Sequence, residues 1–310
     1  MKTIEYYWGK AGFTPNEAQE KAIRHGNGPL LITAGPGSGK TRVLLWRTLN
    51  LIVFHEVDPS RIFLSTFTEK AAKQLQDGLR SLLGMVTNET GKPYDIASMS
   101  VGTVHSLCQK LLMDRRFDPE QKRRRAPVLI DELGQYFRVY NRRYWQKLLL
   151  AGGFDDEEVG QRTINEYFTG GDSYSRHLAA LNCISIFNRF SEEQVDPESV
   201  STEDTVLQSL LKMYRQYRAD LNNSGQCEYV DFSDLQQSAF EYFSASTDAG
   251  NVFEHVIIDE YQDTNAIQEK IFFLLAGGST NICVVGDDDQ ALYRFRGATV
   301  ENLVQFERRA

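Results

Sequence analysis

Two short runs in this chain carry the residue types that phosphoryl chemistry uses. The first is Ala34-Gly35-Pro36-Gly37-Ser38-Gly39-Lys40-Thr41. Its glycines let backbone N–H groups turn inward around phosphate oxygens, and a helix starting there adds its positive end. In such a loop Lys40 reaches the terminal phosphates and the Thr41 hydroxyl ligates Mg²⁺. The general pattern opens with glycine, whereas this loop opens with Ala34. The second run is Asp259-Glu260-Tyr261-Gln262-Asp263, directly after apolar Val256-Ile257-Ile258. Adjacent carboxylates at the end of a buried strand suit phosphate-bound magnesium. Asp259 would hold the metal, usually through water, and Glu260 would orient or deprotonate the attacking water. A third run, from Gly286 to Ala298, crowds Asp287, Asp288, Asp289, Gln290, Tyr293, Arg294, Phe295 and Arg296 together. Gln290 offers a carboxamide able to sense a γ-phosphate. Tyr293 and Phe295 can stack on bases, at roughly 1–3 kcal/mol each, or simply pack.

These residues need strands and helices in a set order. Pro29-Leu30-Leu31-Ile32-Thr33 precedes the glycine-rich loop, and Val43, Leu44, Leu45, Thr48, Leu49 and Ile52 follow it at helical spacing. Upstream, Thr14 as cap, Pro15 at the first helical position and Glu17 three after the cap predict a helix start. That start sets Gln19 one turn in, where its amide has the donor and acceptor to read an adenine edge. Arg61 to Phe67 is a continuous β-prone run, and Thr68 caps the helical pattern after it. Met99 to Val104 repeats the strand, and His105 to Leu112 the helix. Alternating strands and helices predict an α/β fold with a parallel sheet covered on both faces. The loops after the strands then share one edge with the phosphate loop. Val256-Ile257-Ile258 and Asn281 to Val285 are apolar without alternation, as strands buried on both faces are.

Near residue 112 the texture changes. Arg115, Arg116, Lys122, Arg123, Arg124 and Arg125 form a basic cluster, either a solvated face or a surface for duplex or single-stranded DNA. An aromatic-rich amphipathic helix begins at Gln135 and stops at Gly152-Gly153. Another runs through Leu207, Leu210, Leu211, Tyr214, Tyr217 and Leu221. Acidic Asp155 to Glu158 and loop-like Ser191 to Glu198 lie between them, and no strand alternation is visible. Residues 113–225 therefore read as a mostly α-helical insertion domain, dividing a discontinuous motor domain of residues 1–112 and 226–310. The length of 310 residues suits about two domains. The net charge of −8 supplies no general attraction for nucleic acid, so DNA binding would need a local basic surface. Cys108, Cys183, Cys227 and Cys283 are too far apart for a close-spaced metal pattern and read as buried thiols. No apolar run approaches the ~20 residues that span a bilayer, and the first residues lack a signal peptide's apolar stretch. A cytoplasmic protein without membrane contact is expected.

Six runs in this order resemble the UvrD/Rep/PcrA group of superfamily 1 DNA helicases. They are Asn16 with Gln19, the loop ending in Lys40-Thr41, Thr66 to Ala72, Gly102 to Ser106, Asp259 to Asp263, and Val285 to Ala298. The resemblance is strong over 1–112 and 226–310. Over the insertion it extends to position and helical character only. It implies a RecA-like P-loop NTPase fold that uses ATP and Mg²⁺. Gln19, the loop residues Ala34, Gly35, Pro36, Gly37, Ser38, Gly39, Lys40 and Thr41, and Arg42 would surround the nucleotide. Lys40, Asp259, Glu260 and Gln290 would act in hydrolysis, with Thr41 and Asp259 on the metal. Thr66, Phe67, His105, Tyr293, Phe295 and Arg296 would meet single-stranded DNA, although His105 is equally a buried, hydrogen-bonded histidine. Ala34 is common at that place in the family. Glu69 stands where asparagine is frequent, and Phe295 where tryptophan is frequent. A carboxylate at 69 would repel phosphate, and a phenyl ring at 295 offers a smaller stacking surface.

The implied activity is ATP-dependent 3′ to 5′ translocation on single-stranded DNA and opening of single-strand/double-strand junctions. In this family a second motor domain completes the nucleotide site and supplies arginine fingers. The chain stops at Ala310, so it is expected to hydrolyse ATP very slowly alone and not to unwind DNA. The alternative is an ATP-responsive DNA-binding or regulatory module without motor activity.

Overall fold

Five parallel strands build the main sheet in the order β1-β7-β6-β2-β3: Leu30–Thr33 (β1), Ile62–Thr66 (β2), Ser100–Thr103 (β3), His255–Ile258 (β6) and Ile282–Gly286 (β7). The computed structural model describes residues 2–117, 127–222, 229–277, 281–287 and 306. The expectations for Gln290, Tyr293, Arg294, Phe295, Arg296, Cys227 and the basic residues 122–125 lie outside the described residues. Contacts divide the chain into two units, Met1–Glu120 with Tyr242–Ala310, and Gln121–Glu241.

In the first unit every residue of β2, β6 and β7 is buried. Their largely apolar character follows from layers on both faces. Register is continuous across the sheet: Thr33 pairs with Gly286, Ile258 with Val284, Ser65 with Ile258 and Thr66 with Thr103. All five strands therefore end on one edge, as their alternation with helices predicts. Helix α3 (Lys40–Val53) follows β1, and α4 (Glu69–Thr90) follows β2. Thr68 caps α4 by accepting from the Ala71 N–H, and Gly91 closes it at φ 70°. Helix α5 (Val104–Leu111) follows β3, capped by Thr103. The core beneath holds Trp46, Leu49, Leu64, Leu75, Leu79 and Ile257.

Helix α1 (Ile4–Lys10) opens the chain, and α2 (Glu17–Arg24) starts two residues later than its proline predicts. Asn16, not Thr14, is the cap. Its side chain accepts the Gln19 N–H and the Gln19 side chain accepts the Asn16 N–H. A reciprocal pair satisfies two otherwise orphaned donors, which a lone threonine cannot. The other end of α2 rests on buried Arg47 of α3, whose guanidinium donates to the Ala22 and His25 carbonyls.

The second unit is helical, with α6 (Glu132–Tyr140), α7 (Arg142–Gly152), α8 (Glu157–Thr169), α9 (Arg176–Glu192) and α10 (Thr205–Asn222). They pack on a core including Trp145, Leu148, Phe187, Met213, Tyr214 and Tyr217. The single helix expected from Gln135 to Gly152 is two. Asn141 interrupts it and caps α7 by accepting the Arg143 and Tyr144 N–H groups. The acidic run 155–158 begins α8, with Asp156 as its cap and Glu157 and Glu158 in the first turn, where the helix dipole favours them. Two short strands, Val128–Leu129 (β4) and Tyr229–Val230 (β5), pair in parallel where no strand was expected. Two residues are too few to show alternation. Helix α11 (Phe232–Ala245) begins in this unit and ends in the first, to which α12 (Ala249–Val252) and α13 (Ala266–Ala276) belong. Among the described residues no helix is long and apolar enough to cross a membrane.

Candidate nucleotide site on the sheet edge

Strand order decides which chemistry meets which. β7 lies between β1 and β6, so along the carboxyl edge the phosphate loop comes first. Asp287 follows it, then Asp259 and Glu260, then Thr66 and Phe67, and last Thr103 to His105. Neighbouring strands are ≈ 4.8 Å apart, which brings side chains on adjacent ends into contact.

The loop is anchored at its start, where the Ala34 N–H donates to the Gly286 carbonyl at 3.1 Å. Gly37 and Gly39 sit at φ 74° and 86°, a conformation that costs other residues about 1–2 kcal/mol. Gly39 is the N-cap of α3, so Lys40 and Thr41 are its first two residues. The Lys40 Nζ donates to the Ala34 carbonyl at 2.9 Å and lies 3.5 Å from Asp287 Oδ2. Gln19 Nε2 donates to the Ser38 carbonyl at 3.0 Å. With Gln19 Oε1 on the Asn16 N–H, both ends of this amide serve the loop and the cap. Arg42 lies over the Phe13 ring, 4.5 Å from its centroid, and Phe13 stacks on Trp46.

Asp259 directly follows β6 and is 8% exposed. Burial, and then the charge of Glu260, push its carboxyl up from 3.8 to about 6, against the backbone hydrogen bond from Glu260 and the nearby ammonium of Lys40. A buried carboxylate held at that cost suits a bound cation. Glu260 follows in the left-handed region at φ 54°, which is unusual for a side chain of this kind. Its carboxylate accepts from Gln262 Nε2 at 2.7 Å, and Gln262 Oε1 accepts the Asp287 N–H at 2.9 Å. Among the described residues no three His, Cys, Asp or Glu side chains form a metal cage. Magnesium needs none where substrate phosphates and water complete the shell, so Asp259 with the exposed Thr41 hydroxyl fits that ion.

Further along the edge, Phe67 is 43% exposed, while Thr66 is buried. Thr66 thus closes the strand instead of presenting its hydroxyl on an open surface. His105 is half-buried, and desolvation lowers it to about 4, so at neutral pH it brings no charge to a phosphate. Glu69 accepts a hydrogen bond from the Thr103 hydroxyl at 2.8 Å, joining the starts of α4 and α5. The structure thus gathers Gln19, the loop, Asp259 and Glu260 on one stretch of edge and sets Phe67 and His105 beyond them. Sequence reasoning passed over Asp287 and Gln262. Asp287 was one aspartate of three, and only the adjacency of β7 to β1 singles it out.

The UvrD/REP helicase N-terminal domain family matches residues 15–310. A probable DNA helicase II homolog from Rickettsia conorii is 31% identical over 302 residues, covering 95% of this chain and 40% of that protein. The ATP-dependent DNA helicase PcrA of Staphylococcus epidermidis is 31% identical over 298 residues, covering 94% of this chain and 36% of its own. PcrA of Leuconostoc citreum is 30% identical over 300 residues, 94% of this chain and 35% of its own. The chain thus spans well under half the length of these relatives. A phosphate loop, paired carboxylates and a parallel sheet in this order, matched over nearly the whole chain, place it in the UvrD/REP helicase N-terminal domain family.

Proposed function

We propose that this chain is the ATP-binding motor half of a DNA helicase that tracks single-stranded DNA 3′ to 5′ and opens single-strand/double-strand junctions. A second motor domain would complete its nucleotide site. The observation that carries the reading is the sheet edge itself. Asp287 follows β7, Asp259 and Glu260 follow β6 and Phe67 follows β2, with Lys40 brought to the same edge at the start of α3.

In this reading the glycine-rich loop and the start of α3 bind the phosphates, with Lys40 moving from its Ala34 and Asp287 partners to phosphate oxygens. Gln19 braces the loop through Ser38 and stands beside the adenine. Arg42, ordered on Phe13, borders the same place. Thr41 and Asp259 hold Mg²⁺, which supplies charge neutralisation on the phosphates. Glu260 takes the proton of the attacking water, and Gln290 reports the γ-phosphate to the DNA-contacting loop. Phe67, Tyr293 and Phe295 stack on bases, while His105 and Arg296 line the DNA strand. The basic residues from Arg115 to Arg125 meet DNA beside a junction, and the helical insertion, residues 113–225, carries them. The protein works in the cytoplasm.

The test is steady-state ATP turnover with and without single-stranded DNA, on this chain and on the full gene product. The full product should show DNA-stimulated turnover that Lys40→Ala lowers by about 100-fold or more. The 310-residue chain should turn over about 10³–10⁵ more slowly, because the arginine fingers lie in the other domain. A full product that binds DNA in response to ATP, yet shows no stimulated turnover, would establish a regulatory module instead.

A further inference from the structure

Glu260 leaves the sheet in a left-handed conformation, belongs to no helix or strand, and is partly open to solvent. Among the described residues its carboxylate is held by one buried amide. Gln262 is 2% exposed and lies in the single turn Tyr261–Asp263 that follows. Its Nε2 donates to Glu260 Oε2 at 2.7 Å while its Oε1 accepts the Asp287 N–H at 2.9 Å. Neither end can be reversed, because a carboxylate only accepts and a peptide N–H only donates. Asp287 is itself the buried carboxylate 3.5 Å from Lys40.

We infer that Gln262 is a positioning residue for the attack on ATP, a rigid bridge that aims the Glu260 carboxylate by tying it to the backbone at the end of β7. The inference rests on the ATPase reading above. By engaging Oε2, the bridge leaves Oε1 to receive the water's proton. It also makes the base answer to β7. Asp287 immediately precedes the run with Gln290, Tyr293, Phe295 and Arg296, so displacing its peptide pulls on Glu260 through one side chain. A geometric error near 1 Å in a catalytic group costs about 10²-fold in rate, which is the scale on which such a bridge matters.

Two substitutions in the full gene product separate its two arms. Gln262→Met keeps the bulk and loses both hydrogen bonds. Gln262→Glu still accepts the Asp287 N–H, but in its ionised form it cannot donate to Glu260 and sets a like charge beside it. If the bridge positions the base, both variants lower DNA-stimulated kcat by about 10- to 100-fold. KM for ATP and nucleotide affinity should stay within about threefold, since the phosphate loop is untouched. Thermal stability should fall in both variants, because the Met variant leaves the buried Asp287 N–H unpaired and the Glu variant buries a carboxylate beside Glu260, so the kinetic readouts decide. A Glu variant turning over at the wild-type rate would mean that Gln262 merely supports the peptide of Asp287, and would overturn the inference. So would a rise in KM with kcat unchanged. If Gln262→Met does not fold, the Glu variant alone decides. Failure of the underlying reading looks different: wild-type protein without turnover, or Glu260→Gln without effect, removes the ATPase itself.

Discussion

Burial sets Asp259 against the stability of its own fold. Its ordinary value is 3.8 and the folded value about 6, chiefly through desolvation. For an acid raised on folding, the native state holds its proton more tightly than the unfolded state. The penalty is absent below 3.8, grows between 3.8 and about 6, and is complete above that range. Two units correspond to roughly 3 kcal/mol. Asp259→Asn should therefore raise stability at pH 7–8 by up to about that amount and abolish turnover. Urea unfolding of both proteins from pH 4 to 8 checks this: the advantage should vanish at the acid end. At this scale sequence reasoning was uneven. The aspartate and glutamate were legible because a strand-terminal acidic pair is a local pattern. Gln262 and Asp287 were not, because 25 residues separate them and their hydrogen bond depends on where β7 lies.

At the scale of elements, caps and close approaches decide what local propensity leaves open. Helix α2 was expected to be capped by Thr14, and Asn16, two residues on and with a reciprocal partner at Gln19, caps it instead. Glu69, read as an obstacle to DNA, accepts the hydroxyl of Thr103, the cap of α5, so it also couples two helix starts. Helices α12 and α13 meet through glycine backbones. A Cβ added at Gly250 would stand 2.7 Å from the Cα of Gly277, which itself has φ 52°. Main chain cannot swing aside as a side chain can. Gly250→Ala should cost about 1–3 kcal/mol, read as a lowered denaturant midpoint with an unchanged slope. No sequence pattern announces this contact, since the two glycines lie in separate elements.

At the scale of the whole molecule, buried histidines oppose buried acids. His255, at the start of β6 and 2% exposed, is lowered from 6.5 to about 4 by desolvation and then by Arg47 and neighbouring cations. A base lowered on folding contributes fully above pH 6.5, and its contribution is lost as pH falls toward 4, by up to roughly 3 kcal/mol. Asp234, raised to about 6 by burial, and Asp259 act in the opposite sense over nearly the same range, so the net profile is flatter than any one group implies. His255→Asn isolates the histidine. The stability of wild type relative to this variant should decline between pH 6.5 and 4 and stay constant above that. A constant difference throughout would show that His255 keeps its ordinary affinity for protons in the fold.

Sequence alone determined the α/β character, the phosphate loop and the acidic strand end. Each rests on contacts within a few residues, where turn geometry, capping and burial on both faces of a strand leave a local mark. Tertiary structure decided the rest. It placed β7 between β1 and β6, which set Asp287 against Lys40 and let Gln262 reach from Glu260 to the Asp287 backbone. Strand order is a choice among distant pairings of similar apolar runs, and such runs do not record which neighbour they will meet.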